Sequence, residues 1–145
     1  MPPHLPHRAI WLSLALCAAA CASPTAPTPL DIAAHHAMWQ ARGPATYSYE
    51  YEQTGFFNNL SNHVMRVQVR NDTVQSAVYV DTGDTIPSAA AFVPTIESLF
   101  AAANSARSAG TLSGITFDPV LGYPTRIDIA GPPDAGGSLF AALVQ

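Results

Sequence analysis

The sequence contains no lysine, because its six basic residues are all arginines. A Schiff-base enzyme and a Walker-type phosphate loop both depend on a lysine amine, so the chain can carry neither of these chemistries. Charged residues make up only 11% of the sequence, and the formal net charge is −4. Nucleic-acid binding relies on clustered positive charge, which this composition lacks. We therefore expect no nucleic-acid partner.

Cysteine is also scarce, and both cysteines lie close to the N-terminus. Arg8 precedes an uncharged run, residues 9–20, whose length is typical of a signal-peptide core and short for a membrane span. The alanines at 18–20, directly before Cys21, resemble a bacterial lipobox, in which the cysteine thiol receives a diacylglycerol. We predict that residues 1–20 are a lipoprotein signal peptide cleaved before Cys21. Ordinary signal cleavage is the alternative, since small residues also suit it.

The next segment, residues 21–29, is rich in proline, threonine and alanine. Such a sequence has too little apolar surface to pack, and it is predicted to be a tether. A lipid anchor needs a spacer of this kind, and its acyl chains would hold a domain at a membrane without spanning it. The expected location is the cell envelope, on the outer side of the cytoplasmic membrane or on the outer membrane. A soluble secreted protein is the less favoured alternative.

Residues 30–145 are predicted to form a single α+β domain, an antiparallel sheet of about five to six strands with two helices packed on one face. The first helix is expected to have Thr28 as its N-cap and Gly43 as a left-handed C-cap. Its apolar face should contain Leu30, Ala34, Ala37, Met38 and Ala41. The second helix is expected to follow Thr95 as its N-cap, with Ile96, Leu99, Phe100 and Ala103 on one face and Gly110 at its end.

Alternating side chains predict the strands. Tyr47, Tyr49 and Tyr51 share one strand face, and we interpret them as a half-buried row under a helix. An exposed interaction surface made of the three tyrosines is the alternative. Residues 64–80 are predicted to be a hairpin, with Asn71-Asp72 as a turn of positive φ. The expected pairs are Val69 with Val74, Val67 with Ser76 and Met65 with Val78, while Glu50 and Glu52 share the other face with Arg66 and Arg70.

The stretch 117–129 is predicted to be a strand–turn–strand joint rather than a reactive loop. Asp118 can accept hydrogen bonds from amides two residues on, and Gly122 can supply a positive φ. None of these side chains is a nucleophile or general base with a partner at hand. The structural residues of this joint are Asp118, Pro119, Gly122, Tyr123 and Pro124. The flanking strands are expected at about 112–118 and 125–130, and a last strand at 139–144.

No metal site and no cofactor is expected. His35 and His36 are neighbours on the first helix, so their side chains diverge by about 100° and are expected to be exposed rather than to chelate one ion. A periplasmic hydrolase that uses His63 with Asp or Ser residues is the enzyme alternative. It would require His63 to meet a carboxylate and a hydroxyl in one pocket. A protease-inhibitor-like protein that presents residues 54–62 or 81–94 is the other alternative.

Several of these segments resemble a bacterial family, domain-of-unknown-function family 6174. The family pattern contains a Trp-bearing helix, a Tyr-x-Tyr strand, a hairpin, a T-[VI]-x-x-LF helix and a YDPxxGYP motif. In this chain the corresponding segments are Met38-Trp39, Tyr47-Ser48-Tyr49, residues 64–80, TIESLF at 95–100 and FDPVLGYP at 117–124. Relatives tend to carry a Cys-x-Cys after the tyrosine strand, but residues 55–62 contain no cysteine, so no thiol or metal role is transferred.

The resemblance covers about residues 33–130 and implies a small secreted or lipid-anchored envelope protein, with no activity attached to it. Combined with the residue patterns, it predicts a non-enzymatic cell-envelope lipoprotein, a binding or accessory module held at a membrane surface. Its expected partners are the membrane, through the lipid anchor, and an unknown envelope protein or small ligand.

Overall fold

The computed structural model describes residues 31–55, 62–132 and 136–144. These residues form two helices and six strands that join one antiparallel sheet, in the spatial order β3-β2-β1-β6-β5-β4. The prediction of an antiparallel sheet with two helices is confirmed. In chain order the elements are α1 (Ile32–Arg42), β1 (Thr46–Gly55), β2 (Met65–Arg70), β3 (Thr73–Tyr79), α2 (Ile96–Ser108), β4 (Leu112–Phe117), β5 (Pro124–Ile129) and β6 (Gly137–Val144).

The last strand of the chain lies in the middle of the sheet. Strand β6 pairs with β1 from Ser48 opposite Val144 to Gly55 opposite Gly137, and it pairs with β5 on its other side. It therefore joins the hairpin half of the sheet, β1 to β3, to the β4–β5 half. The two halves form one continuous sheet because β6 pairs with β1 on one side and with β5 on the other.

One face of the sheet carries the core. The side chains of β2 alternate between buried and exposed, and those of β1 alternate between buried and partly buried, as expected for strands with one face towards solvent. The fully buried side chains with the largest volumes come from both the sheet and the helices. They are Tyr49, Phe100, Ile32, Met65, Ile96, Leu99, Ile127, Val67, Val69 and Pro124.

The β2–β3 hairpin has the predicted turn but a shifted register. Asn71 and Asp72 have φ of 48° and 53°, and Val69 lies opposite Val74 as expected. Beyond that pair a bulge moves the register, so that Val67 lies opposite Ala77 and not Ser76, and Met65 opposite Tyr79 and not Val78. The reason is that Val74 and Ala77 are three residues apart and would point to opposite faces of a regular strand. The bulge lets both be buried.

Helix α1 differs from its prediction in both its cap and its buried face. The side chain of Asp31 caps the helix by accepting a hydrogen bond from the Ala34 amide at 3.0 Å; the predicted cap, Thr28, lies outside the described residues. The helix buries Ile32, His35 and Trp39, whereas the alanines at 37 and 41 are exposed. Large side chains remove far more apolar area from water than alanine does, so they decide which face of the helix turns inward.

Gly43 ends α1 for a different reason than expected. Its φ is −65° and its ψ 138°, which is extended backbone rather than a left-handed cap. A Cβ atom at this position would lie 2.7 Å from two ring carbons of Trp39. Glycine is therefore required by the close approach of the chain to the indole ring, and not by its backbone conformation.

Helix α2 follows its prediction. Thr95 is the N-cap and its hydroxyl accepts from the Ser98 amide at 3.2 Å. All four predicted core residues of this helix are buried, and Gly110 follows with a φ of +71°. Within the described ranges, neither α1 nor α2 is long and apolar enough to cross a membrane.

The turn before β5 lies against the backbone of α1. Gly122 has a φ of +84°, and a Cβ atom there would lie 2.6 Å from the carbonyl oxygen of His35 and 2.7 Å from the Cβ of Met38. The absence of a side chain at residue 122 thus permits both the turn conformation and the contact with the helix.

Substitution of Gly122 tests whether this contact matters beyond backbone strain. Gly83 is the matched control, because its φ is +77° and a Cβ atom there would have no neighbour within 4 Å. We expect Gly83→Ala to cost about 1 kcal/mol through left-handed strain alone. Gly122→Ala should cost about 1–3 kcal/mol more, because the new methyl group overpacks the helix contact. Urea unfolding of both variants measures the difference in the free energy of unfolding. Equal losses of stability would show that α1 can move to accommodate a methyl group at residue 122 without cost.

Candidate functional site

The tyrosine row of β1 is part of the core. Tyr47, Tyr49 and Tyr51 are 9%, 0% and 3% exposed, and neighbouring rings lie 5.9 and 6.3 Å apart between centroids. This burial fits the interpretation of a row under a helix, in which only the margin of a ring such as Tyr47 reaches the surface. It counts against an exposed surface made of all three rings.

The buried hydroxyl groups of this row hold the segment that begins α2. Tyr49 donates a hydrogen bond to the carbonyl oxygen of Pro94. Tyr47 accepts one from the amide of Ile96 at 3.1 Å, and that amide is among the first in the helix and has no partner within it. Tyr51 donates to the side-chain oxygen of Gln53 at 3.1 Å. The polar ends of the tyrosines thus position the N-terminus of α2 over the sheet.

The 117–124 stretch is organised around one carboxylate. The Asp118 Oδ1 atom accepts hydrogen bonds from the amides of Val120 at 2.9 Å and Leu121 at 2.7 Å. The backbone closes the same turn, because the Asp118 amide donates to the Tyr123 carbonyl and the Gly122 amide donates to the Asp118 carbonyl. Pro119 lies inside the turn, and Pro124 is buried at the start of β5. The side chain of Asp118 therefore acts as a turn acceptor in this structure.

Trp39 brings the two predicted groups of residues together. Its ring lies edge-on to Tyr47 of the tyrosine row, at 5.3 Å between centroids, and edge-on to Tyr123 of the 117–124 stretch, at 5.9 Å. The Tyr123 hydroxyl also accepts from the Leu143 amide of β6 at 3.2 Å. The sequence alone placed these residues in separate elements, and only the tertiary structure makes them one aromatic cluster.

His35 is buried, which corrects the expectation that both helix histidines are exposed. Its side chain is 7% exposed, and its ring is stacked on Phe117 with centroids 4.0 Å apart and planes 5° from parallel. Neither ring nitrogen has a hydrogen-bond partner among the residues at 31–55, 62–132 and 136–144. The ring therefore behaves as a flat aromatic filler between α1 and β4, since stacking on Phe117 buries it without a polar contact.

His36 pairs with a residue that the sequence did not single out. Its Nε2 atom lies 2.5 Å from the Glu97 Oε2 atom, and the Gln40 side chain lies 3.3 Å from the same nitrogen. This contact links α1 to the first turn of α2 across 61 positions of sequence. No local pattern could have revealed it, because an acidic residue in the first turn is common to many helices.

His63 contacts the ring of Tyr79 at 5.3 Å between centroids. Among residues that the structure describes, it has no hydrogen bond or ion pair with a carboxylate or hydroxyl group. The condition set for a hydrolase, convergence of these groups in one pocket, is not met by the described contacts. The same part of the chain contains no group of three or more His, Cys, Asp or Glu residues able to hold a metal ion.

The segment 81–94, which the protease-inhibitor alternative would present to a partner, packs against the rest of the domain. Residues 81–94 include a bridge from Thr85 to Val78 and the buried side chains of Ile86, Ala89 and Val93. Phe92 is the large apolar side chain of this loop that remains exposed, at 59%. Most of the 54–62 loop, together with Cys21 and the whole predicted signal and tether, lies outside the described residues.

The other face of the sheet is solvated and carries paired charges. Arg66 and Glu50 are opposite each other in register and form an ion pair at 2.8 Å, as predicted. Arg126 donates to Asp128 at 2.8 Å and also lies over the ring of Phe140. Partial burial raises the pKa of Asp128, but the hydrogen bonds from Ser138 and Arg126 outweigh that effect and lower it below its usual value. Pairing of this kind is the ordinary reason for these four charges on a solvated sheet face, and it requires no binding site.

A cleft lies beside the Trp39 cluster, between the end of α1, the β2–β3 turn and the start of α2. We call it the Trp39 cleft, and its volume is about 230 Å³. The lining residues are Trp39, Gln40, Gly43, Pro44, Ala45, Tyr47, Asp72 and Glu97. Burial, together with the smaller effect of the Asp72 and Glu97 charges, raises the pKa of Tyr47 to about 12, although the hydrogen bond from Ile96 lowers it. Both carboxylates therefore act on the wall of this cleft.

Comparison with known proteins supports one relationship. The model of a family described as a family of unknown function (DUF6174) matches residues 31–135. The match includes the tyrosine strand, both helices and the 117–124 stretch. Comparison with curated proteins and with solved structures gave no significant match.

Substitution of Asp118 tests its role as a turn acceptor. Asp118→Asn keeps a side-chain oxygen for the amides of Val120 and Leu121 and should change stability by less than about 0.5 kcal/mol. Asp118→Ala leaves both amides without that acceptor and should cost about 1–2 kcal/mol. Denaturant unfolding compares the two variants. If Asp118→Asn kept full stability but abolished a binding activity, the carboxylate would belong to a site and not only to the turn.

The buried tyrosines predict a loss of stability in alkali. Burial raises the pKa of Tyr47 from its ordinary value of 10.0 to about 12, and it also raises the pKa of Tyr49 and Tyr51. The unfolded chain releases these protons first, so stability is complete below pH 10 and falls as the pH rises towards 12. We expect Tyr47→Phe to weaken this dependence, measured as unfolding free energy against pH. Phenolate absorbance from Tyr47 in the folded protein near pH 10 would contradict it.

Proposed function

The chain belongs to the family of unknown function DUF6174, and from this premise we propose that it is a non-enzymatic lipoprotein of the bacterial cell envelope. In this proposal the signal peptide, residues 1–20, is removed and Cys21 carries the lipid. The folded domain is a binding or accessory module at the membrane surface, on the outer side of the cytoplasmic membrane or on the outer membrane. Its partner is an envelope protein or a small ligand.

The observation that carries the proposal is the sequence around Cys21. An uncharged run of signal-core length ends in three alanines, the cysteine follows at once, and a Pro/Thr/Ala spacer follows the cysteine. The start of the domain supports the same division, because α1 is capped by Asp31 and the family match also begins at residue 31. The predicted spacer, residues 21–29, thus lies directly before the first described helix and the family match.

The proposal includes both helices packed on the tyrosine face of the sheet, with the other face open. Trp39 of α1 contacts the Tyr47 ring, and the first amide of α2 bonds to the Tyr47 hydroxyl group. Both contacts support this arrangement. A module built in this way offers a partner the clefts between helices and turns, while its charged sheet face stays in water.

Replacement of the two cysteines tests the anchor. Cys21→Ser should abolish incorporation of labelled palmitate and remove the protein from the membrane fraction, because a hydroxyl group does not replace the thiol in the lipid transfer. Cys17→Ser is the matched control and should retain both label and location, since residue 17 lies inside the predicted signal core. One acyl chain binds membranes with only about 10⁴ M⁻¹, so stable retention implies more than one chain.

The result that would contradict the anchor is a wild-type protein that takes up no fatty acid. Equal loss of label in Cys17→Ser and Cys21→Ser would also count against it, because the effect would then concern the signal segment in general. Soluble wild-type protein beginning near residue 21 would instead support ordinary signal cleavage.

A further inference from the structure

The Trp39 cleft collects negative charge from three elements. Asp72 lies in the β2–β3 turn and Glu97 in the first turn of α2, and both line the cleft. The third contribution comes from the C-terminal end of α1, which is equivalent to about half a negative charge. Arg42 in the last turn of α1 is directed elsewhere, because it donates to the Val120 carbonyl at 3.0 Å. No basic side chain is among the lining residues that the structure describes.

The two carboxylates have capacity left for a ligand. Asp72 forms no hydrogen bond or ion pair with any residue in the described ranges, and its position in the turn leaves it exposed. Glu97 uses Oε2 for His36, and its Oε1 atom has no partner in that part of the chain. In the described part of the chain, the Asp72 carboxylate therefore has both oxygens open to a ligand, and Glu97, which is paired with His36, has Oε1 open.

The inner walls of the cleft are aromatic. Trp39 and Tyr47 are 5% and 9% exposed, whereas Pro44, Ala45 and Asp72 at the outer part of the cleft are exposed. Aromatic faces and edges accept an alkyl chain, and they attract a cation held near the ring. The cleft thus combines an apolar interior with a negative rim, which complements a cation on an aliphatic stem.

The size of the cleft favours a side chain over a whole small molecule. Its volume of about 230 Å³ is below the range of about 300–1,000 Å³ found for sites that enclose drug-sized ligands. The cleft can hold a group about the size of one amino-acid side chain, so the rest of a larger ligand must lie across the exposed rim. A polypeptide meets this requirement, because its backbone stays outside while one residue projects inward.

We propose that the Trp39 cleft binds a lysine or arginine side chain of a partner polypeptide. The alkyl stem lies along Trp39 and Tyr47, and the charged group lies between Asp72 and Glu97. This inference rests on the proposed function as a binding module and specifies the chemistry of the partner. Because the chain contains no lysine, a lysine occupant must come from another molecule.

Tryptophan fluorescence can report binding directly. The chain has two tryptophans, Trp11 and Trp39, so Trp11→Phe in the full-length protein leaves Trp39 as the only tryptophan that emits. The protein, purified in detergent, is titrated with acetyl-Gly-Arg-Gly-amide, acetyl-Gly-Lys-Gly-amide and the neutral acetyl-Gly-Gln-Gly-amide. We expect a saturable change in Trp39 emission with the two cationic peptides only, and weaker binding at higher ionic strength, since salt screens exposed charges.

Charge-removing variants test the two carboxylates separately. Asp72→Asn preserves a residue that tolerates the positive φ of the turn, and Glu97→Gln preserves a hydrogen-bonding partner for His36. Each should weaken binding of the arginine peptide by about two- to fivefold, as expected for a partly exposed charge pair. Glu52→Gln is the matched control, because it removes the same charge from the opposite face of the sheet and should leave binding unchanged.

Three results would overturn the inference. The first is binding of the neutral glutamine peptide as tight as that of the cationic peptides, which would show that charge does not contribute to recognition. The second is an equal loss of peptide binding in Glu52→Gln and Glu97→Gln, which would show that the peptide is attracted by the net charge of the whole molecule. The third is the absence of any change in Trp39 emission with all three peptides. If butylguanidinium bound as tightly as the arginine peptide, the ligand would be a small organic cation such as an alkylguanidinium, and the polypeptide assignment would be wrong.

The same titration in the Cys21→Ser background separates this inference from the anchor. Peptide binding without fatty-acid incorporation in the wild type would uphold the cleft and reject the lipoprotein. Fatty-acid incorporation without peptide binding would uphold the lipoprotein and reject the peptide-binding cleft.

Discussion

The structure depends on keeping three tyrosine hydroxyl groups paired inside the core. An unpaired buried hydroxyl would cost about 1–3 kcal/mol, so each one constrains whatever must supply its partner. Tyr47 and Tyr49 find their partners in the backbone at Ile96 and Pro94, which are the residues that lead into α2. The central strand therefore fixes the position at which the second helix begins.

The same arrangement prepares the Trp39 cleft before any ligand arrives. Tyr47 is at once a core residue, a partner for the first turn of α2 and a wall of the cleft. Glu97 is held by His36 of α1, and Asp72 is held by a tight hairpin turn. Groups fixed in this way lose little freedom when they bind, so more of the contact energy is available for affinity. A weak electrostatic site can thus be selective without being large.

The sequence predicted correctly those features that depend only on residues close together in the chain. Helix α2, its Thr95 cap and the positive φ of the Asn71-Asp72 turn follow from neighbouring residues, and they agree with the structure. The inward face of α1 could not be predicted in this way, because it depends on what Trp39 meets across the fold. The hairpin bulge and the central position of β6 are likewise consequences of packing. The cleft residues come from three distant segments, so no spacing in the sequence connects them.

The contact between Gly122 and the backbone of α1 also gives the domain a direction in which it resists force. Helix α1 is the first element that the structure describes, and Asp31 caps its N-terminal end. The stack of His35 on Phe117 and the bond from Arg42 to Val120 join this helix to β4 and its turn at points along its length. A pull along the helix axis would have to shear these contacts together rather than peel them one by one. The FDPVLGYP stretch is thus the part of the described fold that opposes displacement of α1 along its axis.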